Sequence, residues 1–137
     1  MDSSPLPPRL GRRGVIAVVS REERFLVIRR SASVVAPLKY CFPGGGIEWG
    51  ETEPEALVRE LAEELGIAAA EPVRCLWRNV TQRGTPLAWW HTILPSDVRL
   101  VANPSEVAEV HWLSVHQMMT LSDLLESNRD FLRAMKY

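Results

Sequence analysis

The segment from Gly45 to Ile67 constrains the fold of this chain most strongly, because specific residues mark both ends of a helix. Thr52 and Glu55 match a capping box, Pro54 stands in the first turn, and Gly66 suits the C-terminal cap. A glycine-rich turn precedes this predicted helix. The segment also holds seven carboxylates: Glu48, Glu51, Glu53, Glu55, Glu60, Glu63 and Glu64.

Three of these carboxylates share one face of the predicted helix. At about 100° per residue, Glu64 lies about 40° to one side of Glu60 and Glu63 about 60° to the other. The apolar residues occupy a separate arc, so the helix packs one face on a core and presents acids from another. Such closely spaced carboxylates repel one another. They therefore form either a solvated acidic surface or a site for a hard cation such as Mg²⁺, which prefers oxygen ligands.

The rest of the chain reads as a mixed α+β domain of ordinary size. Short apolar runs predict strands at residues 14–20, 25–28, 40–42, 73–80, 87–94 and 107–113, the first two as a hairpin, with helical segments at the C-terminus. Residues 1–12 read as a flexible tail, and residues 13–137 as a single domain.

Composition narrows the classes of partner and compartment. A net charge of −1 gives no case for obligatory nucleic-acid or membrane binding, and no apolar run reaches the roughly 20 residues of a membrane span. Cys41 and Cys75 lack metal-ligand spacing, and both adjoin apolar residues. We expect reduced, buried thiols and a cytoplasmic location.

The acidic segment follows the pattern G-x5-E-x7-R-E-U-x-E-E-x-G-U, where U is an aliphatic residue. The matching positions are Gly45, Glu51, Arg59, Glu60, Leu61, Glu63, Glu64, Gly66 and Ile67. This pattern resembles the Nudix box, and the chain is similar to small MutT-like Nudix hydrolases. The resemblance implies a Nudix α/β/α sandwich with a mixed β-sheet.

The resemblance also implies a chemistry. Nudix hydrolases cleave a nucleoside diphosphate linked to another moiety by attack of water on phosphorus, with Mg²⁺ or Mn²⁺ as cofactor. Carried over by position, Glu60 and Glu64 would be metal ligands, Glu63 a ligand or the water-activating base, and the Gly44 carbonyl a backbone ligand. Arg59 would orient a glutamate, and Glu51 would brace the glycine loop against the helix.

Residues outside the box supply further candidates. Arg29 and Arg30 are candidates for phosphate contacts, one of them being a surface residue. Glu106 and Glu109 are candidates for the additional acid that Nudix proteins recruit near the last strand. Trp89 and Trp90 must face opposite sides of a strand, so one belongs to the core, and we assign Trp90 to the substrate site.

Several alternatives remain open from the sequence. The substrate is a nucleotide, such as a nucleoside triphosphate, but ADP-ribose or a dinucleoside polyphosphate is an alternative. A non-catalytic nucleotide-binding or regulatory Nudix domain is another, although such domains often lose box glutamates and this chain retains them. The isomerase branch of the fold requires a cysteine and histidine set that is not reproduced here. Whether the protein forms a homodimer is left open.

Overall fold

The computed structural model describes residues 12–137, and the predicted N-terminal tail lies almost entirely outside them. The strands are β1 (Gly14–Val18), β2 (Ser20–Arg21), β3 (Arg24–Arg30), β4 (Tyr40–Cys41), β5 (Gly44–Gly46), β6 (Glu71–Val80), β7 (Pro86–Ile93) and β8 (Val107–Leu113). The helices are α1 (Glu53–Leu65), α2 (Val115–Met119) and α3 (Glu126–Ala134). None of the helices in this part of the chain is both long and apolar enough to cross a membrane.

The strands form two sheets. The first has the order β5-β1-β7-β6, in which β1 and β7 run parallel and the other neighbours antiparallel. In the second sheet, β3 pairs antiparallel with β8 on one edge and with both β2 and β4 on the other. The mixed pairing predicted for the fold is therefore confirmed.

The predicted hairpin between the first two strands is confirmed only at its tip. Glu22 and Glu23 both have positive φ, as a tight hairpin turn requires, and the turn joins β2 to β3. β1 does not pair with β3; it pairs with β5 and β7 in the other sheet. The chain therefore crosses between sheets at Val19, a long-range choice that local apolar runs cannot indicate.

Helices cover both faces of the strands, which confirms the α/β/α sandwich. Successive residues of β1 and β3 alternate between two apolar clusters, as the side-chain period of a strand requires. One cluster packs them against α1, through Ala56, Leu57, Leu61 and Leu65. The other packs them against α2 and α3, through Met118, Phe131 and Leu132.

The boundaries of α1 follow the predicted caps. The Thr52 side chain accepts from the Glu55 backbone N–H, and the Glu55 side chain accepts from the Thr52 backbone N–H, which completes the capping box. Gly66 ends the helix with φ of 67°, a left-handed conformation that glycine adopts at little cost. Helix α1 is thus held in one register, and this fixes which side chains face the first sheet.

The two cysteines differ in burial. Both thiols are free, as expected. Cys41 is buried, and burial raises the pKa of its thiol to about 11. Cys75 lies on edge strand β6 and is only half-buried, so the prediction that it is buried is wrong.

Candidate active site

Helix α1 presents its acidic face to the glycine strand β5. Glu64 is only 4% exposed, and the Glu60 side chain is 12% exposed. The Glu63 side chain, in contrast, is 48% exposed at the rim. The three predicted acids therefore lie side by side, two of them largely withdrawn from water.

Burial perturbs the protonation of the two inner acids. Loss of hydration and repulsion from Glu60 raise the pKa of Glu64 to about 8, against the opposing hydrogen bond that the Gly44 N–H donates to Oε1 at 3.1 Å. Burial likewise raises the pKa of Glu60 to about 7, although Arg59 opposes the shift. Without a compensating cation, this pair is costly to ionise.

A third acid joins them from the segment before β8. One carboxylate oxygen each from Glu60, Glu64 and Glu106 lie within 4.8 Å of one another. Carboxylate oxygens converging in this way suit a hard divalent cation. Two of the three acids also have raised pKa values, mainly because they are buried. The donor set therefore fits Mg²⁺ or Mn²⁺.

The contacts of Gly44 and Glu63 bear on their predicted roles as metal ligands. Gly44 contacts the three acids through its backbone N–H, which donates to Glu64. The role of its carbonyl as a metal ligand stays a prediction. Glu63 lies outside the group of three, but Arg59 Nη1 donates to both Glu60 and Glu63, at 3.2 Å each. Glu63 is therefore adjacent to the group.

Arg59 links the helix to the glycine loop. Its Nε donates to Glu51 Oε2 at 2.6 Å, and its Nη2 donates both to Glu51 Oε1 at 3.0 Å and to the Gly46 carbonyl at 2.8 Å. Glu51 also accepts from the Glu48 backbone N–H at 2.7 Å. The guanidinium thus fastens the loop to the acidic face, and these ion pairs raise the pKa of Arg59.

Strand β5 leaves no room for a side chain at Gly44 or Gly45. A Cβ on Gly45 would lie 2.3 Å from Cδ of Glu60, closer than real contacts allow. At Gly44 a Cβ would lie 2.1 Å from the Val15 carbonyl oxygen, and its φ of 157° is unfavourable for other residues. Because Gly45 has no side chain, the Glu60 carboxylate can lie directly against the β5 backbone.

A groove with a volume of about 590 Å³ lies beside β5. The β5 glycines and Glu60 form one wall. The remaining lining includes Arg12, Arg13, Ile16, Arg30, Phe42, Thr81, Thr85, Leu87, Leu125, Ser127 and Asn128. The groove combines cationic, apolar and amide groups beside the acids, which suits an anionic ligand with an apolar part.

Of the residues predicted to contact the substrate, some line this groove and others lie elsewhere. Arg30 lines it, whereas Arg29 does not; Arg29 Nη1 donates to Glu109 Oε2 at 3.0 Å, and its guanidinium lies 5.1 Å from the Tyr40 ring centroid. Glu109 also bonds His111 Nε2 at 2.8 Å. Arg29 and Glu109 form an ion pair with each other on the second sheet. Of the two candidate arginines, Arg30 is therefore the one at the groove, and of the two candidate acids, Glu106 is the one beside Glu60 and Glu64.

Trp90 is also placed away from the groove. Trp89 is the fully buried core member of the pair, and Trp90 packs against the cluster beneath α1. The Trp90 indole N–H donates to Glu53 Oε1 at 3.0 Å, next to the ion pair between Glu53 and Arg78. Its position supports packing beneath α1 and gives no support to the predicted stacking role.

Asn128 is a groove residue that the sequence analysis did not single out. It is 2% exposed, and its Oδ1 accepts from the Phe42 backbone N–H at 2.9 Å. A signal was present, because Asn128 interrupts the helical apolar spacing of Leu124, Leu125, Phe131 and Leu132. A polar residue at a core position indicates a specific hydrogen bond or a ligand contact.

The sandwich, the capped acidic helix and the glycine strand beside it define the Nudix class. The NUDIX domain model matches residues 10–135, and the chain belongs to the Nudix family. Over 79 residues the chain is 39% identical to the CTP pyrophosphohydrolase of Escherichia coli, covering 56% of this chain and 58% of the relative.

Further relatives match over shorter segments. The chain is 45% identical to the 8-oxo-dGTP diphosphatase of Escherichia coli over 53 residues, which cover 38% of this chain and 41% of that relative. The ADP-ribose pyrophosphatase of Methanocaldococcus jannaschii is 42% identical over 55 residues, covering 39% and 31% of the two chains. The matches with these three relatives span between 31% and 58% of the relatives' lengths.

Solved structures of other proteins have the same fold as this chain. The MutT protein of Methanosarcina mazei has a TM-score of 0.75 at 24% identity, covering 90% of this chain and 91% of that one. The E. coli ORF135 protein has a TM-score of 0.63 at 26% identity, with coverage of 90% and 91%.

Proposed function

We propose that this protein is a divalent-metal-dependent pyrophosphohydrolase that cleaves a nucleoside diphosphate linked to another moiety, such as a nucleoside triphosphate. The observation that carries this proposal is the convergence of Glu60, Glu64 and Glu106 beside the groove. Bound Mg²⁺ or Mn²⁺ would neutralise phosphate charge and lower the pKa of a coordinated water.

The chain's own residues account for the other requirements of phosphoryl transfer, which depends mainly on positioning and charge neutralisation. Arg59 holds Glu60 and the glycine loop in place. The Arg30 side chain lies in the groove, near enough to Cys41 and Glu64 to affect both pKa values, so it can meet an anionic phosphate there. The apolar part of the groove accommodates a nucleoside.

The names of the relatives agree with this substrate class. CTP, 8-oxo-dGTP and ADP-ribose each contain a nucleoside joined to a phosphoric anhydride. They differ in base and in the group beyond the diphosphate. The proposal therefore specifies the class of reaction, and a direct comparison of substrates identifies the group beyond the diphosphate.

The test is a panel of nucleoside triphosphates, oxidised triphosphates, ADP-ribose, nucleotide sugars and dinucleoside polyphosphates, each with Mg²⁺ or Mn²⁺. We expect metal-dependent cleavage of one phosphoric anhydride. The products would be a nucleoside monophosphate with pyrophosphate, two monophosphates or, from a dinucleoside polyphosphate, two nucleotides. Glu64→Gln should remove most turnover while leaving the circular dichroism spectrum unchanged. Full turnover in that variant would refute the mechanism. Nucleotide binding without turnover of any compound would favour a regulatory domain.

Two acids remain candidates for the base that activates water. Glu63 is exposed beside the group of three, and Glu106 belongs to it. Comparing Glu63→Gln with Glu106→Gln separates them: loss of the base lowers kcat at saturating metal, whereas loss of a ligand raises the metal concentration needed. Glu109→Gln is the matched control, since Glu109 pairs with Arg29 and His111.

A further inference from the structure

The segment between β7 and β8 docks on the C-terminal end of α1. The last carbonyls of a helix lack partners within the helix. Here the Leu65 carbonyl accepts from Val101 N at 2.9 Å, and the Glu64 carbonyl accepts from Asn103 N at 2.9 Å. The Glu63 carbonyl accepts from Asn103 Nδ2 at 3.2 Å. Asn103 therefore satisfies two helix carbonyls at the end of α1 that carries the metal-site acids.

The same side chain holds Glu106. Asn103 Nδ2 donates to Glu106 Oε2 at 3.3 Å, and the Asn103 carbonyl accepts from Glu106 N at 3.0 Å. Its Oδ1 accepts from the backbone N–H of Ser105 at 3.2 Å and from the Ser105 hydroxyl at 2.8 Å. Because Ser105 occupies the oxygen, the amide is oriented with its two N–H donors towards Glu106 and the helix.

Glu106 needs such a restraint more than the other two acids do. Glu60 and Glu64 are fixed by α1, whereas Glu106 precedes β8 in a segment outside regular structure. Mutual repulsion among the three carboxylates, with the negative end of the α1 dipole nearby, tends to displace the one that is least restrained. A neutral N–H donor to its carboxylate opposes that displacement without competing for the cation.

We propose that Asn103 is a positioning residue of the metal site, which couples the C-terminal cap of α1 to the placement of Glu106. The inference rests on the proposed function, since it takes Glu60, Glu64 and Glu106 as the metal ligands. In this proposal Asn103 is not a metal ligand; it acts through the Glu106 carboxylate.

The test is a double-mutant cycle read out by Mn²⁺ binding, with free Mn²⁺ followed by electron paramagnetic resonance. Asn103→Ala should raise the dissociation constant for Mn²⁺ about tenfold, a size typical of lost outer-shell contacts. In a Glu106→Gln background the same change should alter the constant by less than about twofold, because the partner is already lost. Asn103→Ser, whose hydroxyl is too short to reach Glu106, provides a second variant that keeps a polar side chain.

Two further readouts separate positioning from a purely structural role. Turnover at saturating Mn²⁺ should stay near that of the unaltered protein, while the half-saturating metal concentration rises. Thr52→Ala is the matched control, because it removes the cap at the other end of α1 without touching Glu106. It should lower thermal stability to a similar degree and leave Mn²⁺ affinity unchanged.

Opposite results would overturn the inference. An unchanged Mn²⁺ affinity in both Asn103 variants, or an equal loss in the Glu106→Gln background, would show that Asn103 only caps the helix. Failure of the unaltered protein to bind Mn²⁺ would overturn the proposed function and this inference with it. The two failures are therefore distinguishable.

Discussion

Arg59 donates two hydrogen bonds to the Glu51 carboxylate, from Nε to Oε2 at 2.6 Å and from Nη2 to Oε1 at 3.0 Å. The pair joins a helix to the loop that precedes it, and the same guanidinium reaches the Gly46 carbonyl and Glu60. One side chain therefore sets the distance between the glycine strand and the acidic face of α1.

This geometry predicts that Arg59→Lys is not a conservative change, because an ammonium group cannot reproduce the fork of contacts. We expect kcat/KM to fall about 10- to 100-fold, as for other outer-shell partners of metal ligands. Steady-state kinetics at fixed Mg²⁺ provide the measurement. Lys39→Arg, a Lys/Arg exchange outside this network, is the control, and activity within twofold in Arg59→Lys would contradict the prediction.

The tight contact of β5 with Glu60 gives a second prediction with a matched pair. A Cβ at Gly45 would overlap the Glu60 carboxylate, whereas at Gly46 the nearest atom would be the Arg13 carbonyl oxygen at 4.0 Å. Gly45→Ala should therefore displace Glu60 and weaken Mn²⁺ binding at least about tenfold. Gly46→Ala should bind Mn²⁺ normally. Equal effects of the two changes, measured by calorimetric titration, would show that steric exclusion at Gly45 is unimportant.

A third prediction concerns pH. The pKa values of about 8 for Glu64 and about 7 for Glu60 lie above the ordinary value of 4.5. Between pH 4.5 and about 8, the folded metal-free protein thus binds more protons than the unfolded chain, and its stability falls as pH rises. Melting temperatures in EDTA should decrease across this range, and Glu64→Gln should flatten the decrease.

Added metal should have the opposite dependence. Metal binding requires the ionised carboxylates and releases protons, so stabilisation by Mg²⁺ or Mn²⁺ should grow as pH rises towards 8. A melting temperature of the metal-free protein that increases steadily from pH 5 to pH 8 would contradict the role assigned to these two buried acids.

The neighbouring arginines of β3 give a fourth prediction. Arg30 lines the groove, and its Nε donates to the Val35 carbonyl at 2.6 Å, whereas Arg29 pairs with Glu109. Arg30→Ala should raise KM for the nucleotide about tenfold, in keeping with the loss of a charge-assisted phosphate contact. Arg29→Ala should leave KM nearly unchanged. A larger effect at Arg29 would reverse the assignment of these two residues.

Local signals explain why helix α1 and its acidic face could be predicted. The capping box, Gly66 and the spacing of the α1 acids depend on neighbours in sequence, so the sequence alone indicates them. The roles of Arg59 and Glu51 come instead from the resemblance to the Nudix box, which implies that Arg59 orients a glutamate and that Glu51 braces the loop.

Contacts between distant segments were not accessible in this way. Glu106 and Glu109 are both acids near the last strand, but only Glu106 lies beside Glu60 and Glu64. This difference depends on the register of β3 against β8 and on the loop that Asn103 holds. Likewise, the role of Trp90 depends on which sheet face lies beneath α1. Residues adjacent in sequence do not indicate these positions, because they are determined by packing between distant strands and helices.

The docking of Asn103 on Glu63 joins residues separated by 40 positions in sequence. A cation shared by Glu64 and Glu106 would connect the two sides of that junction and act as a reversible cross-link. Because the cation binds the folded arrangement and not the unfolded chain, the gain in stability grows with the ratio of its free concentration to its dissociation constant. Cation binding should then slow amide hydrogen exchange throughout β6 and β7, the two strands that lie between Glu64 and Glu106 in sequence.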